Sequence, residues 1–321
     1  MAETAEVIEA ASPIGEAAGT PAVKTVELTK RFGKTTALAG LTMTVPRGEV
    51  FGFLGPNGAG KTTAVKLLLG LLSPTAGEGW LLGKPLGDLQ TRRRIGYLPE
   101  LFRYQQWLSA AEVLSLHCEL APLPRSSWKD EIATALETVG LTDRAKDRVG
   151  TFSKGMQQRL GLAAALLGEP ELVFLDEPTS ALDPVGRHDV REIIRGLAAR
   201  GTAVFLNSHL LSEVEQLCDR VAVVDHGRVI AEGTMDQILG GGTAVRVRAS
   251  GLAQADKNKL ATFGQLDDEG DVLTFARLEP ERVPELVAQI VAMGGRVYEV
   301  APRHQTLEDR FLQLLDDEEK G

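Results

Sequence analysis

Cysteine is scarce in this chain: Cys118 and Cys218, a hundred positions apart, are the whole complement of 321 residues. Neither sits in a C-x-x-C pair, so neither a disulfide framework nor a zinc site is expected, and both read as free thiols of a reducing compartment. Long apolar runs are missing as well. "LLLGLL" at 67–72 and "LGLAAALLG" at 160–168 fall far short of the ~20 residues that span a bilayer, so the chain is not expected to cross a membrane by itself. There is no basic surplus: 35 Lys and Arg against 44 Asp and Glu leave a net charge of -9. That balance argues against a surface built to coat a phosphate backbone, and no nucleic-acid partner is expected. Residues 1–22 contain no Lys or Arg; a secretory leader needs a basic start and an apolar middle, so this stretch reads as a disordered acidic tail.

What is present is an average globular composition, 43% hydrophobic and 25% charged, in a chain long enough for about two domains. "VKTVELTKRF" alternates as a half-buried strand does, and an apolar run at 50–54 leads through a glycine-rich loop into helical spacing at 61–72. "SAAEVLSLHCEL" and "WKDEIATALETVG" are amphipathic helices, and the "RRR" at 92–94 reads as a solvated face. In "TFSKGMQQRLGLAAALLG" the spacing of Leu160, Ala163, Ala164 and Leu167 predicts a helix with one buried face. Its start, Ser153, Lys154 and Gly155, suits either an ordinary cap or a phosphate grip.

Beyond Gly168 strands and helices alternate, the pattern of a parallel sheet with crossover helices. The triple glycine at 240–242 marks a boundary, after which the pattern β-α-β-β-α-β predicts a small ferredoxin-like α+β domain. "TLEDRFLQLL" predicts a terminal helix, with "DDEEKG" fraying.

Two stretches carry chemistry. "GPNGAGKT" at 55–62 matches G-x-x-x-x-G-K-[ST] between a strand and a helix, the context a phosphate loop requires. Gly58 and Gly60 let backbone N–H groups turn toward a phosphate, Lys61 offers a compact cation, and Thr62 a hydroxyl for Mg²⁺. "LVFLDEP" ends a buried strand in two carboxylates: Asp176 suits a Mg²⁺ shell, and Glu177 suits a general base for an attacking water.

The ordered set of these elements over about residues 23–235 resembles the ATP-binding-cassette (ABC) family of transport ATPases. "FSKGMQQR" resembles that family's signature motif, "SALD" at 180–183 its D-loop, "IGYLPE" at 95–100 its Q-loop, His209 in "NSH" its switch histidine, and Phe32 in "KRFG" its adenine-stacking aromatic. The resemblance implies a P-loop NTPase-type α/β core over residues 23–240, a helical subdomain at about 101–168 and an accessory domain at 241–321. It implies ATP held by Phe32, Gly55, Asn57, Gly58, Ala59, Gly60, Lys61, Thr62 and Thr63, and by Ser153 and Gly155. Mg²⁺ is then held by Thr62, Glu100 and Asp176, and Glu177 and His209 are the catalytic pair.

Two positions depart from the common pattern. Lys154 stands where a glycine is usual, and Glu100 replaces a glutamine. Both variants resemble bacterial exporters whose ATPase and permease are separate chains. The implied machine is a homodimer beneath a polytopic permease, on the cytoplasmic face of the membrane. Two alternatives stay open: a soluble ATPase of the same superfamily acting on ribosomes or DNA, and a nucleotide-binding module without turnover. The single cassette without heptads or a C-x-x-C pair argues against the first, and the presence of Glu177 and His209 against the second. Lys154 as a solvated charge, Phe32 as core and His209 as a polar strand end are the plainer readings of those residues.

Overall fold

The computed structural model describes residues 19–121, 123–180, 182–239, 244–276, 278–303 and 306–320. Most of the expected tail, Ala181 of the "SALD" stretch and the triple glycine lie outside the described residues. The last part of the stretch read as a tail belongs to the fold: Ala22 is fully buried, its N–H donates to the Val45 carbonyl, and Arg47 Nε donates to the Thr20 carbonyl.

The alternating stretch forms β1 (Val23–Phe32), paired antiparallel with β2 (Thr35–Val45). All five residues of β3 (Val50–Leu54) are buried, as in a strand covered on both faces. The loop then enters α1 (Lys61–Leu68). This helix stops a turn earlier than the apolar spacing suggests, because Gly70 turns left-handed (φ 66°) and Leu71 N–H donates back to the Lys66 carbonyl at 2.8 Å. Next come β4 (Ala76–Leu81), the two-residue β5 (Lys84–Pro85), α2 (Leu89–Arg92) and β6 (Ile95–Leu98). The arginine run is exposed as expected, yet Arg92 donates to the Gly70 carbonyl at 2.9 Å and Arg94 pairs with Glu171.

Three helices, α3 (Ala110–Leu120), α4 (Trp128–Thr138) and α5 (Lys154–Leu166), form one layer. A capping box starts α3: Ser109 Oγ accepts from Glu112 N–H while the Glu112 carboxylate accepts from Ser109 N–H. The alternating region follows as β7 (Leu172–Asp176), α6 (Pro184–Ala199), β8 (Ala203–Asn207), α7 (Leu211–Leu217), β9 (Arg220–Asp225), β10 (Arg228–Thr234) and α8 (Met235–Ile238).

The central sheet has the order β10-β9-β3-β8-β7-β6, parallel from β9 to β6, with β10 antiparallel at the edge. A smaller antiparallel sheet, β2-β1-β4-β5, covers one side. Four of the ten phenylalanines, Phe51, Phe53, Phe174 and Phe205, face it from the central sheet, the first three with ring centroids 5.1–5.8 Å from that of Phe205. The opposite face, through Val173, Leu175, Val204 and Leu206, packs on the helical layer. Asp176 ends β7 directly opposite Asn207 at the end of β8, and Asn207 is in turn opposite Phe53 of β3. This register gathers the carboxyl ends of three strands beside the glycine loop, the usual ligand-binding edge of such sheets.

The last segment is β11 (Ala244–Ser250), α9 (Gln254–Leu260), β12 (Gln265–Glu269), β13 (Val272–Ala276), α10 (Val283–Ala292) and β14 (Arg296–Arg303). Its sheet order, β12-β13-β11-β14 with every pair antiparallel, is that of a ferredoxin-like unit with its own core around Phe275 and Leu286. Finally α11 (Leu307–Lys320) returns to the main core. Leu307 is fully buried there, and its N–H donates to Glu215 of α7 at 2.9 Å. The helix continues through the acidic stretch expected to fray. Thr306 and Asp309 cap its start reciprocally, and Glu and Lys sustain helix well. No helix among the described residues is long and apolar enough to cross a membrane.

Candidate active site

The glycine loop divides into residues that hold it and residues that open onto a cavity. Gly55 passes directly against β9: a Cβ there would lie 2.2 Å from the Val224 carbonyl oxygen. Ala59 is buried, and its carbonyl accepts from Gly227 N–H at 3.0 Å. These two anchor the loop. Gly60 caps α1 with φ 99°, a conformation a side chain would strain, and a Cβ there would meet the Ala37 carbonyl at 2.4 Å. The first N–H groups of α1 therefore lack a side-chain cap and favour an anion.

Asn57, Gly58, Gly60, Lys61, Thr62 and Thr63 line a cavity of about 530 Å³, together with Ala37, Glu100, Asp176, Glu177, Asn207 and His209. Lys61 Nζ donates to the Gly55 carbonyl at 2.6 Å and to the Pro56 carbonyl at 3.1 Å. Burial pushes its pKa down, against the opposing pull of Glu177 and Asp176.

The two adjacent carboxylates are held differently. Asp176 accepts from Asn207 Nδ2 at 2.6 Å. Glu177 takes φ 53°, unusual for a residue with a side chain, and its N–H donates to the Asn207 carbonyl at 2.9 Å. Its Oε1 accepts from the His209 backbone N–H at 2.9 Å, and the imidazole Nδ1 lies 2.7 Å from Oε2. Burial raises both carboxyl pKa values; the amide of Asn207 and the contacts of His209 oppose the rise.

Among the described residues no trio of His, Cys, Asp or Glu encloses a metal. Mg²⁺ does not need one, since it takes one or two carboxylates plus phosphate oxygens and keeps several waters. The hard oxygen donors of Thr62, Asp176 and Glu100, all on one cavity beside a phosphate loop, fit that ion bound together with a nucleotide.

Phe32 does not line this cavity. It ends β1 49% exposed, with Lys30 Nζ 5.1 Å from its ring centroid, so it is not a core residue. Ser153 and Gly155 lie elsewhere, on a separate concavity of about 410 Å³ shared with Lys154, Leu182 and Asp183. There Ser153 is an N-cap: its hydroxyl accepts from Met156 N–H at 3.2 Å, which leaves its own O–H free to donate. Lys154 is exposed at the first position of α5. Sequence reasoning missed Ala37, which carries no chemical signal, and Asn207, which had one: a polar residue closing an otherwise apolar strand.

A family model described as "ABC transporter" matches residues 38–180. Similarity to curated relatives extends over most of the chain, and the chain belongs to the ABC transporter family, among the ATPases that serve transporters. It is 41% identical to the bacitracin transport ATP-binding protein BcrA of Bacillus licheniformis, over 91% of this chain and 97% of that one. It is 34% identical to the linearmycin resistance ATP-binding protein LnrL of Bacillus subtilis (strain 168), over 89% and 95%. Among solved structures, an ATP-binding subunit of an ABC transporter aligns with a TM-score of 0.62 and 32% identity, covering 68% of this chain and 92% of that one.

Proposed function

We propose that this chain is the ATP-hydrolysing subunit of an exporter, working as a homodimer at the cytoplasmic face of a membrane beneath a separate polytopic permease. The observation that carries the reading is a separation. The phosphate loop, Glu177 and His209 share one cavity, whereas Ser153 and Gly155 line another that has no residue in common with it. A chain that cannot cover its phosphate site with its own signature residues gains by pairing head to tail, so that two composite sites form across a two-fold axis. Exposed Phe32 supplies the platform for adenine, and Ser153 and Gly155 of the opposite subunit meet the terminal phosphate.

Lys61 and the N–H groups at the start of α1 bind and orient the phosphates. Mg²⁺, when bound by Thr62, Asp176 and Glu100, neutralises phosphate charge. Glu177, buried and fixed by His209, takes the proton of the attacking water, and His209 adds a donor toward the phosphoryl group. Glu100 puts a second carboxylate beside the phosphates, which repels them when the cation is absent and steepens the dependence on Mg²⁺. Hydrolysis removes the bridging phosphate and reopens the pair, a cycle the permease converts into transport. Export is supported by the likeness to a drug-resistance and an antibiotic-transport protein.

Light scattering tests the pairing. Glu177→Gln with ATP and Mg²⁺ is expected at twice the monomer mass and returns to monomer with ADP. A monomeric Glu177→Gln with ATP demonstrably bound would refute the dimer. Co-purification of a polytopic membrane protein with the tagged chain tests the partner, and co-sedimentation with ribosomes instead would overturn it.

A further inference from the structure

Asn207 is the last residue of β8, whose other four residues, Ala203 to Leu206, are apolar and buried. The strand's own packing therefore gives no reason for an amide at its end. The side chain is 4% exposed, with one end engaged and one not. Its Nδ2 donates to Asp176 Oδ1 at 2.6 Å. A carboxylate only accepts, so this contact dictates which way the amide is turned. The carbonyl oxygen Oδ1 is then left buried without a partner among the described residues, on a residue that lines the phosphate cavity. A buried acceptor without a donor is costly unless something in the cavity donates to it. Through its backbone the same residue also accepts from Glu177 N–H at 2.9 Å, so one residue holds both acidic neighbours.

We propose that Asn207 is a positioning residue for the cation: its amide nitrogen orients the Asp176 carboxylate, and its orphan carbonyl oxygen accepts from a cation-bound water. The inference rests on the reading of the cavity as a metal-nucleotide site. Hydrogen-bond partners of a ligating carboxylate orient it, and their loss commonly weakens metal affinity roughly 10- to 100-fold.

The test uses the full chain, a non-hydrolysable ATP analogue and Mn²⁺ as the metal probe, followed by electron paramagnetic resonance. Wild type is expected to take up Mn²⁺ only with the analogue; no uptake would overturn the underlying reading rather than the role of Asn207. In Asn207→Leu, similar in size but without donor or acceptor, Mn²⁺ affinity is expected to fall about 10-fold or more. Binding of the analogue in EDTA is expected to stay within about twofold of wild type, since no contact to the phosphates has been removed. A change in Mn²⁺ affinity of less than about threefold, or an equal loss of analogue binding in EDTA, would overturn the proposal. If the leucine variant does not fold, Asn207→Ser serves with the same thresholds, because its side chain is too short to reach Asp176 and cannot overpack the strand end.

Discussion

His209 meets Glu177 twice: its backbone N–H donates to Oε1 at 2.9 Å, and its imidazole Nδ1 lies 2.7 Å from Oε2. Glu177 is 8% exposed, whereas the imidazole is 60% exposed. The histidine therefore joins a buried carboxylate to the open side of the cavity. His209→Ala keeps the backbone contact and removes the imidazole. ATP binding is expected to survive, while turnover falls by roughly 10² to 10⁴, the range for losing the orientation of a general base. Single-turnover hydrolysis at saturating ATP measures this; near-normal turnover would remove the imidazole from the mechanism.

Burial gives the same carboxylate a signature in stability. The Glu177 pKa is raised by desolvation, so the native state keeps that proton to higher pH than the unfolded chain does. For a group raised in this direction, the stabilising contribution is complete below the unfolded value and is lost as pH rises through the native one. Ionised Glu177 thus opposes folding at neutral pH in the nucleotide-free protein. Glu177→Gln should raise Tm by roughly 2 °C or more at pH 7.5, with the gain shrinking toward pH 4. Thermal unfolding at the two pH values checks it, and a lowered Tm at pH 7.5 contradicts the sign.

Close backbone packing sets the position of α5. A Cβ on Gly96 of β6 would lie 2.0 Å from the Ala165 carbonyl oxygen near the end of that helix, so strand and helix meet without a side chain between them. Gly96→Ala must push the helix away, and overpacking of this kind typically costs about 1–3 kcal/mol. Urea titration should show a lower midpoint with an unchanged slope.

The terminal helix is fastened by fully buried Leu307, with Phe311 and Leu314 packed against the same core. Leu307→Ala empties a fully buried site in the main core, a change that commonly costs about 2–5 kcal/mol. Because Leu307 N–H also bonds Glu215, hydrogen exchange should quicken in both α11 and α7. Unchanged protection of α7 would show that the contact carries no stability into the main core.

Much of this organisation was legible in one dimension because it depends on local rules. The strand–loop–helix around residues 50–68 follows from periodicity and from the glycine–lysine spacing, and the last segment's β-α-β-β-α-β pattern from its turn residues. Legibility failed where a contact distant in sequence intervened. Ala22 was drawn out of the apparent tail by pairing with Val45, whereas the end of α1 was set locally, by Gly70 overriding the apolar spacing of Leu71 and Leu72. Asn207 escaped notice because its meaning lies in Asp176, thirty-one residues away.

By itself the sequence determined most of the elements, the glycine–lysine spacing of the loop between β3 and α1, and the shortness of the apolar runs, since each arises from neighbours within a few residues. Only the tertiary structure decided which polar groups share a cavity. Strand register set Asp176 against Asn207, the turn after β8 closed His209 onto Glu177, and the helical layer carried Ser153 to a different surface. Those placements are set by the pairing of β3, β7 and β8 and by the packing of α5 on β6, and neither pairing nor packing is written in any single stretch of residues.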